Sequence, residues 1–169
     1  MLVVIGGLPA TGKTTLARLL AQETGAVHVR VDTIEQALVR SGLARHSVGP
    51  AGYVVGYALA EEHLRQGPGV IAESVNPLAV TRDAWRDTAA RAGIPWAEVE
   101  VICSDPAEHR RRVTSRSVDI PDLPLPDWAF YSPSGKFARS TPAPMAPPSP
   151  PTAPGLPAMV SAVKRTRGS

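Results

Sequence analysis

Residues 7–14 read Gly-Leu-Pro-Ala-Thr-Gly-Lys-Thr, and no other stretch limits so sharply what this chain can become. The octet satisfies G-x-x-x-x-G-K-[ST] at every fixed position, after an apolar run at 2–5 and before an amphipathic run at 14–24. A strand–loop–helix setting is the context in which this pattern cradles phosphate. Gly7 and Gly12 permit backbone angles and a close approach of main chain to ligand that a side chain would block. Successive amides then surround an anion at the positive end of the helix that begins near Lys13. Gly7, Leu8, Pro9, Ala10, Thr11, Gly12, Lys13, Thr14 and Thr15 are therefore expected to hold a nucleoside triphosphate. Lys13 would reach the β- and γ-phosphates, Thr14 would coordinate magnesium, and Thr15 would assist at the α-phosphate. ATP and Mg2+ are the expected cofactors. Lys13 is the only lysine in residues 1–128, where the other twelve basic residues are arginine, so composition does not explain a lysine there. The competing reading is a glycine turn with no ligand.

Downstream, short apolar runs alternate with longer amphipathic ones. Strands are expected at 2–5, 27–31, 70–72 and 99–103, and helices at 14–24, 33–40, 52–66 and 80–92. A further helix, with Asp105 or Ser104 as its cap and Pro106 in its first turn, would run to about Ser117. Such alternation implies an α/β, three-layer fold, a parallel sheet flanked by helices. Four strands are expected, and nothing after Asp119 supplies a fifth.

Charge divides the chain in two. Residues 1–128 carry 13 basic and 15 acidic side chains, whereas residues 129–169 carry five basic ones and no acid. The basic balance thus belongs to the second segment, which removes the argument that charge alone would make for nucleic-acid binding. Twelve of the 18 prolines fall between Pro121 and Pro157, so residues 129–169 are expected to be an extended or disordered tail beside an ATP-binding domain at 1–128. No apolar run approaches the ~20 residues that span a bilayer, and the N-terminus has no secretory pattern. One cysteine, Cys103, forms no internal disulfide, and a cytoplasmic setting is expected.

Two carboxylates stand where ligands gather in open parallel sheets, at the carboxyl ends of strands. Asp32 follows the second strand and is a candidate base for a substrate hydroxyl, or a cap for the next helix. Glu73 ends the third strand and is a candidate magnesium ligand through water, or a polar residue at a strand end. Arg112 and Arg116, one helical turn apart, are candidates for gripping the transferring phosphate, or part of a solvated basic face that pairs with Glu108, whereas Arg110 fits the solvated face. His28, His46, His63 and His109 show no metal-ligand spacing, and Cys103 is expected to be a buried packing residue ending its strand. Arg45, His46, Tyr53 and Tyr57 fall where a substrate would bind.

Together, GLPATGKT, the VRVD segment ending at Asp32, the VIAES segment containing Glu73 and the lid-like SDPAEHRRRVTSRS resemble a small P-loop kinase. This is the group often labelled AAA-family ATPases, related to polynucleotide kinases, gluconate kinases, chloramphenicol phosphotransferases and zeta toxins. The resemblance covers residues 1 to about 127. It implies ATP–magnesium on the loop, Asp32 as base or substrate ligand, and lid arginines on the phosphate. Polynucleotide-kinase-like members usually carry arginine three residues after that aspartate, where this chain has Glu35; an acid there would repel a phosphorylated acceptor and argues against nucleic-acid ends. The family also continues into a fifth strand, where this chain turns proline-rich near Ala129, as a frameshifted or truncated product would. The expected function is transfer of the ATP γ-phosphate to a small hydroxylated molecule. The alternatives are nucleotide binding without transfer, and a simple ATPase or GTPase.

Overall fold

The computed structural model describes residues 1–43, 48–117, 119–125 and 127–128. Nine elements follow one another in it: β1 (Leu2–Gly6), α1 (Lys13–Thr24), β2 (Val27–Arg30), α2 (Val31–Arg40), α3 (Ala51–Gln66), β3 (Val70–Glu73), α4 (Ala79–Ala92), β4 (Trp96–Glu100) and α5 (Pro106–Ser115). The four strands form one sheet in the order β2-β3-β1-β4, with every pairing parallel. The proline-rich tail expected at 129–169 lies outside the described residues, as do Arg45 and His46. No helix among the described residues is long and apolar enough to cross a membrane.

Side chains alternate across a strand, so the central strands β1 and β3 each serve two cores. Leu2 and Val4 of β1 join Val29, Val70, Ala72, Ala60, Leu64, Trp85 and Ala89 on the α3–α4 face. Val3 and Ile5 join Ile71, Ala17 and Leu20 on the α1 face. Helices thus cover both sides of a sheet whose central strands are buried throughout, the three-layer arrangement expected from the alternation.

The fourth strand lies three residues earlier than expected. Apolar character marks 99–103, but the ladder with β1 runs from Leu2 opposite Trp96 to Gly6 opposite Glu100. The Val101 amide makes the last bond, to the Gly6 carbonyl at 2.9 Å. Beyond Gly6 the β1 backbone leaves the sheet as the glycine loop, so residues after 101 lose their pairing partner. Cys103 is therefore in the connection to α5, half-buried, not at a strand end. Arg86 of α4 reinforces this register by reaching Glu98 at 2.9 Å and lying 5.3 Å above the Trp96 ring.

Two other boundaries also move. Val31 belongs to α2, which places Asp32 inside the first helical turn instead of ahead of it. Asp105 caps α5 by accepting from the Ala107 and Glu108 amides, but the helix stops at Ser115 and Arg116 is extended. Arg116 nonetheless keeps a helical φ of −67°, and its amide donates to the Arg112 carbonyl at 3.1 Å, so the two side chains leave the chain one turn apart on the same side.

Trp85 is fully buried and meets Tyr57 edge-on at 4.5 Å. Gly56 makes room for it, since a Cβ there would sit 3.4 Å from the indole. Replacing Trp85 by Ala is expected to destabilise the domain by about 3–5 kcal/mol, read as a lowered urea midpoint with the m-value unchanged.

Candidate functional site

The loop from Gly6 to Thr14 is built from left-handed turns. Gly7 (φ 138°), Ala10 (φ 63°) and Gly12 (φ 100°) all have positive φ. At Gly7 the constraint is absolute, because a Cβ would lie 2.3 Å from the Val101 carbonyl oxygen. At Gly12 a Cβ would meet nothing within 4 Å, so the requirement there is the positive φ and not space. Gly12 is also the N-cap of α1, with no side-chain cap and no acid in the first turn. The helix thus presents its amides and its positive end uncompensated. Thr11 Oγ1 donates to the Leu8 carbonyl at 2.8 Å and Lys13 Nζ to the same oxygen at 3.4 Å, which folds the loop around the lysine.

Lys13 is 5% exposed. Burial lowers its pKa; Asp32 and Glu73 pull it back up, while Arg30 and Arg116 oppose them. One ammonium group thus shares a field with both candidate carboxylates and with one of the two candidate arginines.

Glu73 closes β3 with 1% of its surface exposed. Its Oε1 accepts from Thr14 Oγ1, the hydroxyl of the glycine loop, and its Oε2 meets His28 Nε2 at 2.9 Å. Arg30 Nε stands 3.8 Å away. Burial alone would raise this carboxyl, but the hydrogen bonds from His28 and Thr14 and the charges of Arg30 and Lys13 outweigh it and hold it below the ordinary glutamate value.

Asp32 makes no cap bond for α2. It sits 3.8 Å from an Arg30 nitrogen, and burial raises its pKa against the opposing pull of Lys13 and Arg30. A cleft of about 260 Å³ opens beside it, lined by Val31, Asp32, Glu35, Tyr53, Val75, Pro77, Leu78 and Thr81. Tyr53 thus reaches a candidate acceptor site, whereas Tyr57 packs on Trp85 and donates to the Thr81 carbonyl at 3.2 Å. A larger opening of about 460 Å³ runs along β2 past Arg18, Arg30, Arg40, His63 and Asp119. It touches neither the glycine loop nor Asp32, so size does not mark the chemistry here.

The two candidate arginines part company. Arg116 acts on Lys13 through its charge. Arg112 is held by Glu108 at 2.7 Å, one turn back on α5, with Arg111 on the same carboxylate at 2.7 Å. Those two guanidiniums hold the Glu108 carboxyl down at about 2. A nearer contact from α5 comes from His109, whose Nε2 lies 2.9 Å from the Pro9 carbonyl of the loop and whose ring meets Trp128 edge-on at 5.5 Å.

Sequence reasoning missed His28, Arg30 and Asp119. Arg30 donates to both Asp119 oxygens, at 2.7 and 3.2 Å, and Arg18 binds the same aspartate at 2.7 Å. Alternation in Val27–Arg30 does place His28 and Arg30 on one face. The missing information was the strand order, since the β2–β3 register sets Arg30 opposite Glu73.

The sequence pattern of the AAA domain family matches residues 2–125. The chain belongs to that family. Among solved structures, this AAA domain resembles a protein from Chloroflexus aurantiacus J-10-fl described provisionally as a kinase, with 23% identity, TM-score 0.69, and 97% of this chain and 96% of that one covered. A gluconokinase from Sinorhizobium meliloti 1021 is also similar, at 17% identity and TM-score 0.48 over 68% of this chain and 64% of that one, a likeness too distant to inform the chemistry of this site. No curated protein matches. The AAA domain therefore has a P-loop, nucleotide-binding α/β fold shared with that first structure.

Glu35, on α2 three residues after Asp32, has its carboxyl pushed up to about 7 by burial and by the Asp32 charge, from 4.5. Between those values the folded chain keeps a proton that the unfolded chain has released, so stability falls as pH rises through the window, and the loss is complete above it. Glu35→Gln is expected to raise stability near pH 8 by about 1–3 kcal/mol and to leave it unchanged near pH 4. Urea midpoints of both forms at the two pH values measure this.

Proposed function

We propose that this AAA domain is an ATP-dependent phosphotransferase that moves the γ-phosphate of ATP to a hydroxyl of a small molecule. One observation carries the reading: Lys13 lies in the field of both Asp32 and Glu73, and the cleft beside Asp32 has as one wall Val75, whose carbonyl accepts from the Gly7 amide at 3.3 Å. Three tasks of phosphoryl transfer thus fall to three neighbouring groups.

The amides of residues 7–14 and the start of α1 bind the β-phosphate, and Lys13 spans the β- and γ-oxygens. Asp32 takes the proton of the acceptor hydroxyl as its oxygen attacks the γ-phosphorus. The bond from that phosphorus to the β–γ bridging oxygen breaks, and ADP leaves. A pKa raised by burial makes Asp32 a stronger base than a solvated aspartate. Arg116, and Arg112 once released from Glu108, would balance charge on the transferring group.

Thr14 and Glu73 suit magnesium. A hydroxyl and a carboxylate oxygen already touch each other across the loop, and both are hard oxygen donors. Magnesium keeps several waters and takes substrate phosphate oxygens, so two protein oxygens are a sufficient protein share of its shell. Bound there, magnesium would neutralise charge on the β- and γ-phosphates. His28 and Arg30 would keep Glu73 ionised and aimed at Thr14.

Titration with ATP and assay of ADP release test the reading. Lys13→Ala is expected to weaken ATP binding by about 10- to 100-fold. Asp32→Asn should leave ATP binding intact and slow acceptor-dependent ADP release by about 10²- to 10⁴-fold. ATP binding unchanged in Lys13→Ala would sink the nucleotide site. Binding without ADP release would favour a protein that holds nucleotide without transferring phosphate, and ADP release independent of any acceptor would favour a simple ATPase.

A further inference from the structure

We propose that the cleft beside Asp32 takes an amino alcohol, a small hydroxylated molecule whose own ammonium group is received by Glu35. The inference rests on the phosphotransferase reading and narrows its acceptor.

Four of the cleft's walls are apolar, and its polar groups are Asp32, Glu35, Tyr53 and Thr81. Among the described residues no lysine, arginine or histidine lines it. Its two carboxylates differ in what answers them. Asp32 faces Arg30 at 3.8 Å and feels the Lys13 charge. Glu35 meets no cation and no hydrogen-bond donor among the described residues, and the charge acting on it is the like charge of Asp32. A carboxylate in partly dry surroundings without a partner is costly. Its elevated proton affinity, near pH 7, expresses that cost.

Glu35 also lies directly against α3. Helix α3 approaches α2 so closely that a Cβ on Gly52 would lie 2.2 Å from Glu35 Cγ, so the side chain is confined between helix and cleft. A carboxylate that meets no cation among the described residues, in a cavity that opens beside Asp32, matches a ligand that brings the cation. A carboxylated or phosphorylated acceptor would meet repulsion from two acids. A neutral polyol would fit but would leave Glu35 unanswered. The volume of about 260 Å³ equals roughly nine water molecules at ~30 Å³ each, room for a molecule the size of a monosaccharide.

The transfer step is unchanged by this assignment. The acceptor hydroxyl oxygen attacks the γ-phosphorus, its proton goes to Asp32, ADP departs, and the ammonium keeps its protons against Glu35. Glu35 thus acts on specificity, while Asp32 acts on the reacting atom.

The test uses the full chain with ATP and Mg2+ and compares acceptors matched in size. The series are glucosamine, glucose and glucuronate; serinol, glycerol and glycerate; ethanolamine, ethylene glycol and glycolate. The amine of at least one series should exceed its neutral partner in kcat/KM for ADP release by about tenfold or more, with the acid inactive. Glu35→Gln preserves the shape of the side chain and should reduce that preference to about threefold or less, with ATP affinity unchanged. A neutral or acidic preference, or an amine preference that survives Glu35→Gln, overturns the assignment. Asp32-dependent ADP release with the neutral members alone would keep the phosphotransferase and discard the amine. Bound ATP with no ADP release from any member would discard both.

Discussion

Glu73 is a carboxylate with almost no contact with water, set at the point where the third strand ends and the nucleotide loop begins. Left alone it would take up a proton, and a neutral acid would offer little to a cation. Four groups from two elements prevent this: Thr14 and Lys13 from the start of α1, His28 and Arg30 from β2. Breaking any of these contacts would leave the others holding a poorly compensated charge. The sheet order therefore matters chemically, because only with β3 between β1 and β2 does the carboxylate meet both the loop and the histidine–arginine face.

From this point the charges divide. On the loop side cations dominate: Lys13, the amides of α1, Arg30 and Arg116, with Glu73 and Asp32 balancing them. On the acceptor side the walls are apolar and the ionisable groups acidic. Asp32 stands on the boundary, close enough to Lys13 to feel its charge and open to the cleft. In the proposed transfer a base there would receive a proton beside the cations that limit the cost of its ionisation. The separation would also keep the guanidiniums and Lys13 from meeting anions in the proposed acceptor cleft.

Much of this was legible in the residues, and the exceptions share a cause. The loop could be read because its chemistry dictates residue types at fixed spacing. The alternation of strands and helices implied three layers, and glycines at 25, 67 and 93 marked helix ends correctly. The fourth strand was misplaced because its apolar run overshoots the sheet; pairing ends where β1 turns into the loop, a limit set by another segment. Arg112 and Arg116 stand one turn apart as their spacing implied, and the pairing of Arg112 with Glu108 follows the same four-residue spacing. His28 and Asp119 were invisible because their importance lies in partners 45 and 89 residues away. Periodicity reports which face a residue is on, not what faces it.

The His109 ring joins two parts of the molecule that lie far apart along the chain. One ring nitrogen meets the Pro9 carbonyl inside the loop, and the ring edge meets Trp128 near the end of the described residues. Of the three tryptophans, Trp85 is sealed in the core and Trp96 lies under Arg86 at the sheet's edge. Trp128 is thus the indole separated from the nucleotide loop by a single side chain, against an imidazole that can quench it. A shift of the Pro9 carbonyl would therefore reach that indole through the imidazole, and Trp128 emission would follow the loop's conformation if the loop moves as the phosphate cradle fills.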